Sequence, residues 1–208
     1  VTNGLVVVMG EITTSSYVDV SSVIRETIHS AGYNNPDFGF DSKSCGVMVS
    51  LQEQSKDIAL GVDSSQEAKK KGMRNTNDDP DKIGAGDQGM MFGYACNETE
   101  DTPELVGRYF PIAAALSQRL TRRLDIIRRT EKIPWMRPDG KSQVSVRLDE
   151  RRMHEGDGTR APQHVSDVVI AVQHARDAGG LPDEDAQREF IRDTVWEEVV
   201  KHAIPERW

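Results

Sequence analysis

The feature that most constrains this chain is a glycine-rich stretch at residues 84–99, which reads GAGDQGMMFGYACNET. Its first six residues place three glycines around Asp87 and Gln88. Glycine is favoured where the backbone takes positive φ or approaches another group closely, and these two side chains supply a hydrogen-bond acceptor and a group that both donates and accepts. Two interpretations stay open on this spacing alone. The stretch is either the floor of a ligand pocket or a tight turn that enters a buried strand at residues 90–96.

The same glycines match the GxGxxG fingerprint of dinucleotide-binding proteins, which requires a preceding strand and a following helix. Residues 69–82 before it are charged and polar, and residues 90–95 after it are apolar and typical of a strand. This context excludes a dinucleotide-binding fold.

The overall composition excludes several classes of protein. The chain has 208 residues, 37% apolar and 29% charged, which is typical of one large or two small globular domains. A net charge of -8 argues against nucleic-acid binding through a broad basic surface, and no run of 18 apolar residues could span a membrane. The two cysteines form no CxxC motif and the histidines no HExxH motif, so a reducing cytoplasm without a zinc site is expected. Because the chain starts at Val1 without a signal peptide, we expect it to begin partway into a longer protein.

Hydrophobic periodicity predicts an α+β fold of two layers, with helices packed on one face of mainly antiparallel or mixed sheets. Strands are expected at residues 4–13, 44–51, 144–148 and 165–173, and helices at residues 20–28, 111–129 and 183–203. Asp19 or a nearby serine caps the first helix, which Gly32 ends. Arginines interrupt the apolar pattern of the helix at 111–129, where a solvated face is favoured over a nucleic-acid surface.

Three further features carry candidate functions. Residues 58–83 lack periodicity and precede the glycine-rich stretch, which favours a lid over a disordered loop. Glu11, at the end of the first strand, is either solvated or held for a cationic group. Residues 135–143 form a loop whose Pro-Asp-Gly turn presents Lys141, which can hold a phosphate; a P-loop is excluded because Trp135 stands where that motif needs glycine.

Several short motifs, in order and spacing, make the chain resemble methionine adenosyltransferase (S-adenosylmethionine synthetase) along essentially all of its length. They are GEITT at 10–14, DFGFD at 37–41, QSKDI at 54–58, GVD at 61–63, the stretch at 84–99, and PWMRPDGKSQV at 134–144. The resemblance implies β-α-β-β-α-β domains, with helices on one face of mixed sheets and the sheets facing a dimer interface.

The resemblance also implies a division of the chain. Residues 1–57 would form the latter part of the N-terminal domain, 58–83 a mobile active-site loop and 84–208 the central domain. The N-terminal segment with the His-Pro-Asp-Lys motif and the C-terminal domain are missing from the sequence, so the 208 residues alone are expected to be inactive. The DPDK at 79–82 only mimics that motif, and no role is assigned to it.

The activity implied by resemblance is synthesis of S-adenosylmethionine from ATP and L-methionine, with the triphosphate cleaved to phosphate and diphosphate. Glu11, Gln54 and Asp87 would bind methionine. The alternative is a non-catalytic, dimer-forming or regulatory relative of the same fold.

The same resemblance assigns the ATP side of the site. Asp139, Gly140 and Lys141 would bind ATP, and Lys141 and Asp87 would act in catalysis. Mg²⁺ and K⁺ are the implied cofactors, with their principal ligands outside this chain and no metal ligand within it. The implied partners are ATP, L-methionine and a second copy of the chain, in a homodimer or a dimer of dimers in the cytoplasm, with no nucleic acid and no membrane.

Overall fold

The computed structural model describes residues 4–62, 65–66, 89–149 and 161–208. The chain divides into two compact units, Val1–Phe92 and Gly93–Trp208, which are described separately below. Residues 84–88 of the glycine-rich stretch, with Asp87, and most of the expected lid lie outside the described residues.

A parallel pair of strands forms the centre of the first unit. Strand β1 is Leu5–Glu11 and strand β2 is Gly46–Gln52. Their register runs from Leu5 opposite Gly46 to Glu11 opposite Gln52. The β-branched residues predicted strands here, and both strands confirm the expected elements to within a few residues.

The connection between these strands contains helix α1, Val20–Ser30. Asp19 is its N-cap, because its carboxylate accepts hydrogen bonds from the Ser22 backbone N–H at 3.1 Å and from the Ser22 hydroxyl at 2.7 Å. Gly32 follows the helix with a φ of 102°. The N-cap residue and the glycine that ends the helix were both predicted. A short helix α2, Lys56–Val62, follows β2.

The second unit is organised around helix α3, Ile112–Arg129. Its apolar side chains recur at helical spacing and are almost completely buried: Ile112, Leu116, Leu120, Leu124 and Ile127. They form the centre of the hydrophobic core of this unit. The predicted helix is confirmed.

Helix α3 packs on an antiparallel hairpin of strand β3, Met136–Asp149, and strand β4, Ala161–His174. Val144 of β3 lies in the core, and the Ser142 hydroxyl donates to the Ser117 carbonyl of α3 at 2.8 Å. One sheet is therefore parallel and the other antiparallel. Helices and small sheets are mixed as in the α+β class, whereas the full two-layer arrangement stays a prediction.

The predicted helix at 183–203 is confirmed with an interruption. Helix α4, Glu184–Val195, begins after Asp183, whose carboxylate accepts from the Ala186 N–H at 2.8 Å. A π-helical turn, Trp196–Val200, and a last turn α5, Lys201–Ala203, follow without a break. The wider turn holds one more residue than an α-helix would.

Two sequence interpretations are wrong. Residues 90–96 form no strand, and Met90, Met91 and Phe92 are 81 to 93% exposed, because a strand requires a hydrogen-bonded neighbour and the described residues offer none. The expected loop at 135–143 is strand from Met136 onward, because pairing with β4 overrides the turn preference of Pro-Asp-Gly.

No helix in the described ranges combines the length and the apolar character that crossing a membrane requires.

Replacing one glycine of the second unit is predicted to destabilise the fold more than replacing its neighbour. Gly179 has a φ of 73°, and a Cβ atom there would lie 2.7 Å from two ring atoms of Phe190. Gly180 is a matched control, since its φ is 67° but a Cβ would meet nothing within 4 Å. We expect Gly180→Ala to cost about 1 to 2 kcal/mol for the left-handed backbone, and Gly179→Ala about 1 to 3 kcal/mol more for the overlap. Urea denaturation of both variants measures the difference, and equal costs would contradict it.

Candidate functional site

One group of candidate residues lies where β1 and β2 end. Glu11 is the last residue of β1 and pairs with Gln52, the last residue of β2. Gln54 follows two residues later and is half-buried, whereas Glu11 is exposed. Because parallel strands end at the same edge of a sheet, where ligands commonly bind, the fold brings Glu11 and Gln54 to one edge.

Neither side chain has a hydrogen-bond or ion-pair partner elsewhere in the described parts of the chain. The hydrogen bond from the Ile12 N–H to the Gln52 carbonyl, at 2.9 Å, extends the backbone pairing past Glu11 but does not involve its carboxylate. A carboxylate attracts an ammonium group, and an amide both donates and accepts. This edge therefore has the chemistry to bind an amino acid.

A second group of candidate residues lies beside a bulge in β3. Met136 pairs with His174 and Gly140 with Val172, so β3 advances four residues while β4 advances two. Bulges redirect side chains and occur often beside active sites. Here the irregularity holds Pro138, which has no N–H to donate to the sheet.

Asp139 and Lys141 flank Gly140 and both are exposed, with the Lys141 Nζ atom 3.8 Å from the Asp139 Oδ2 atom. Gly140 faces the opposite way, since a Cβ there would lie 3.3 Å from the Leu124 Cδ1 atom of α3. The inner position is thus closely packed, and the two charged neighbours lie at the surface. The exposed Lys141 ammonium can bind a phosphate group directly. A cation that accompanies the phosphate can bind the Asp139 carboxylate at the same time.

A small cavity of about 180 Å³ lies behind the bulge, between β3 and α3. Asp125, which contributes to its lining, accepts from Arg128 at 2.5 Å and from Arg129 at 2.7 Å. Burial opposes the charged form of Asp125, but the hydrogen bonds from Arg129 and Arg128 outweigh it and lower its pKa. These ion pairs lie within one turn of α3 and hold the Asp125 carboxylate in its charged form beside the cavity.

Sequence reasoning missed the role of the residues that end the glycine-rich stretch. The Glu98 carboxylate accepts from the Ile112 N–H at 2.9 Å, and the fully buried Thr99 hydroxyl accepts from the Phe110 N–H at 3.2 Å. Pro111, which precedes α3, makes no side-chain cap of its own. Glu98 thus caps a helix that starts fourteen residues later, which a search for local capping residues cannot find.

Glu100 fixes the rest of this segment. Its carboxylate accepts from the Gly107 N–H at 2.8 Å and from the Tyr109 N–H at 3.0 Å. Tyr109 has a φ of 50°, an unusual conformation for a residue other than glycine. The two hydrogen bonds hold the backbone in that conformation.

Comparisons with known proteins identify the family of this chain. Residues 82–208 match the family model for the central domain of S-adenosylmethionine synthetase, and residues 1–56 match that for its N-terminal domain. The chain belongs to the S-adenosylmethionine synthetase family. Members of this family are enzymes named S-adenosylmethionine synthase.

Three curated relatives carry that name. The chain is 44% identical over 207 residues to the S-adenosylmethionine synthase of Petrotoga mobilis, 42% over 205 residues to that of Finegoldia magna and 40% over 205 residues to that of Clostridium tetani. Each match covers 99% of this chain and 45% of the relative. The chain thus spans about half the length of the curated relatives it matches.

The predicted site residues are divided between the two domain matches of the synthetase family. Glu11 and Gln54 lie in the N-terminal domain match, and Asp139, Gly140 and Lys141 lie in the central domain match. The structure brings each group together on its own unit. Asp87 belongs to the central domain match but lies outside the described residues.

For the metal ions implied by the synthetase resemblance, the described ranges contain no group of three or more His, Cys, Asp or Glu side chains that could hold one. The Asp139 Oδ2 atom lies 3.8 Å from the Lys141 Nζ atom. A single exposed carboxylate does not make a magnesium site. The residues described here therefore do not fit a resident metal.

The hydrogen bonds to Glu100 predict that the stability of the protein depends on pH. Hydrogen bonds from the backbone of Tyr109 and then Gly107 lower the pKa of Glu100 below its ordinary value of 4.5. A group with a lowered pKa stabilises the fold above the ordinary pKa, and this stabilisation is lost as the pH falls through the lowered pKa. Glu100→Gln should therefore destabilise the protein most at neutral pH.

Urea denaturation of the wild-type protein and Glu100→Gln, at pH 7 and at successively lower values below about 4.5, measures the effect. We expect the stability difference between the two proteins to shrink in the acid range. Glu104→Gln, which removes an exposed carboxylate from the same segment, is the control. A difference that is constant with pH would show that the carboxylate charge has no part in holding the segment.

Proposed function

We propose that the protein synthesises S-adenosylmethionine from ATP and L-methionine and cleaves the resulting triphosphate to phosphate and diphosphate. The observation that carries this proposal is the match of 99% of the chain, at 40 to 44% identity, to proteins named S-adenosylmethionine synthase. The chemistry available at the two groups of site residues supports it.

The reaction begins with attack of the methionine sulfur on C5′ of ATP. A sulfur–carbon bond forms as the bond from C5′ to the triphosphate oxygen breaks, so the sulfur becomes a sulfonium cation and the triphosphate leaves with the electron pair. No proton has to move in this step. Catalysis therefore depends on aligning the sulfur and on stabilising the negative charge of the leaving group.

Glu11 and Gln54 bind the methionine in this proposal. The Glu11 carboxylate attracts the methionine ammonium, and the Gln54 amide donates to the methionine carboxylate. Their place at one edge of the β1–β2 sheet supports a shared role. Asp87 of the glycine-rich stretch helps to orient the same substrate and takes part in catalysis.

Asp139, Gly140 and Lys141 bind ATP. The Lys141 ammonium stabilises the departing triphosphate, and its exposure just after the β3 bulge leaves it accessible to a ligand. The nearby Asp139 carboxylate holds the lysine in position until the phosphate arrives. Magnesium and potassium, bound by residues other than those described, would supply further positive charge for the polyphosphate.

The organisation of the active protein completes the proposal. Residues 1–57 belong to the N-terminal domain and residues 84–208 to the central domain. Two copies associate through their sheets, as a homodimer or a dimer of dimers in the cytoplasm. The exposed apolar side chains of Val7, Met9 and Met48 on the β1–β2 sheet support burial in such an interface.

A steady-state assay of S-adenosylmethionine formation tests the proposal. The assay uses the full-length protein rather than the 208 residues alone. We expect Glu11→Gln to raise KM for methionine by about 10- to 100-fold, which is the cost of losing a charged hydrogen-bond partner, with a smaller effect on KM for ATP. Glu26→Gln, an exposed carboxylate on α1, is the matched control and should behave as wild type.

Two results would contradict the proposal. No formation of S-adenosylmethionine by the intact wild-type protein would reject the activity. A change confined to KM for ATP in Glu11→Gln would reject the methionine-binding role and leave the activity standing.

A further inference from the structure

A second cleft in the Gly93–Trp208 unit contains none of the proposed substrate-binding residues. It lies between residues 105–110 and the first half of α3 and has a volume of about 330 Å³. Its floor is apolar, with Leu105 and Ala115 buried and Phe110 partly buried. An apolar floor of this size suits a ring or a short hydrocarbon group.

The rim of this cleft is basic. Arg108, Arg119 and Arg122 contribute to its lining together with the Gln118 side chain. Arg119 is held in place, because its Nε atom donates to the Ala203 carbonyl at 2.7 Å. Arg108 and Arg122 are exposed, and across the described ranges neither guanidinium has an ion-pair or hydrogen-bond partner.

The other arginines of α3 contrast with these. Arg123 lies 3.8 Å from a Glu198 carboxylate oxygen, and Arg128 and Arg129 both pair with Asp125. Within the described residues, the cleft arginines have no carboxylate within 4.0 Å, although the whole chain carries a net charge of -8. Neighbouring like charges repel one another, so an anion in the cleft would relieve this repulsion.

We propose that this cleft binds a small organic phosphate ester, with its phosphate held by Arg108 and Arg122 and its apolar group on the floor formed by Leu105, Phe110 and Ala115. The planar guanidinium group matches phosphate oxygens through paired hydrogen bonds, which favours a phosphate as the anionic part of the ligand. The apolar floor favours an ester over inorganic phosphate. This binding is separate from the proposed synthesis of S-adenosylmethionine and does not depend on it.

Isothermal titration calorimetry of the intact protein with phenyl phosphate tests the site. We expect saturable binding of one molecule per chain, weakened at least about tenfold in the double variant Arg108→Gln/Arg122→Gln. Both replaced side chains are exposed, so the variant should keep its fold. Arg188→Gln/Arg192→Gln on α4 removes the same charge from exposed positions and should bind as wild type.

Two further titrations separate the parts of the proposal. Inorganic phosphate should bind more weakly than phenyl phosphate, because it leaves the apolar floor uncovered. Lys141→Met should bind phenyl phosphate as tightly as wild type, because Lys141 does not line this cleft.

The proposal is overturned if phenyl phosphate shows no saturable binding, or if the two double variants lose affinity equally. Equal affinity for inorganic phosphate would reject the apolar part of the site. Loss of binding in Lys141→Met would show that the probe occupies the proposed ATP residues instead.

Discussion

Replacing Lys141 with methionine is expected to lower kcat for S-adenosylmethionine formation by about 10²- to 10³-fold, the usual cost of losing one fixed electrostatic group in an active site. The expected effect on KM for methionine is much smaller. Lys141 acts on charge that develops on the triphosphate as it leaves, so its loss raises the barrier of the chemical step more than it weakens ground-state binding. Steady-state kinetics with each substrate varied in turn measure both constants.

Lys201→Met is the matched control for this prediction. Lys201 is about half exposed and pairs with Glu197 one helical turn earlier, so its replacement removes an equal charge from the surface of the same unit. Its kcat should equal that of wild type. An unchanged kcat in Lys141→Met would remove Lys141 from the proposed site, whatever the activity of the protein.

Replacing Leu116 with alanine is expected to destabilise the second unit by about 2 to 5 kcal/mol. Leu116 has no exposed surface and lies in the middle of the core between α3, β3 and the C-terminal helical segment. The smaller side chain leaves a cavity that the neighbouring elements can only partly close. Urea denaturation followed by circular dichroism measures the loss.

Ile126→Ala is the control on the same helix, because the Ile126 side chain is 45% exposed. It should cost about 1 kcal/mol or less, since nearly half of its surface stays exposed to water in the folded protein. Similar costs at the two positions would contradict the placement of the core on the Leu116 face of α3.

Elements set by local pattern were predicted well. The apolar residues of α3 recur every three or four positions, so its boundaries and its buried face could both be identified before the structure. Asp19, predicted as the cap of α1, makes the expected hydrogen bond, and Asp183 caps α4 in the same way. In these segments the information needed for folding lies within a few residues.

Features that depend on distant partners were not predicted. Pro138 and Asp139 lie within a strand because the residues on either side of them pair with β4, Met136 with His174 and Gly140 with Val172. The apolar run at 90–96 forms no strand because the described residues provide no neighbour. At the site, the sequence pointed to Glu11 at a strand end and to Lys141 beside a Pro-Asp-Gly sequence. It could not show that Lys141 follows a bulge, because a bulge is a property of two strands in register.

Two arginines of α3 have a structural role that the sequence did not predict. They were expected to form a solvated face, but the Nε atoms of Arg119 and Arg123 donate to the carbonyls of Ala203 and Glu198, at 2.7 and 2.8 Å. These partners are 84 and 75 residues away along the chain. Only the folded structure identifies these arginines as links between two helices.

The π-helical turn at Trp196–Val200 aligns the C-terminal helix so that these two hydrogen bonds to α3 can form. An extra residue in a helical turn rotates everything after it by about 100° relative to a regular α-helix. With this rotation, Val199, Val200 and Ala203 are all buried, and the Glu198 and Ala203 carbonyls reach α3. The two antiparallel helices are thereby fastened at two points, so one cannot slide along the other without breaking both bonds. A one-residue deletion in this turn would undo the alignment while leaving every remaining side chain intact.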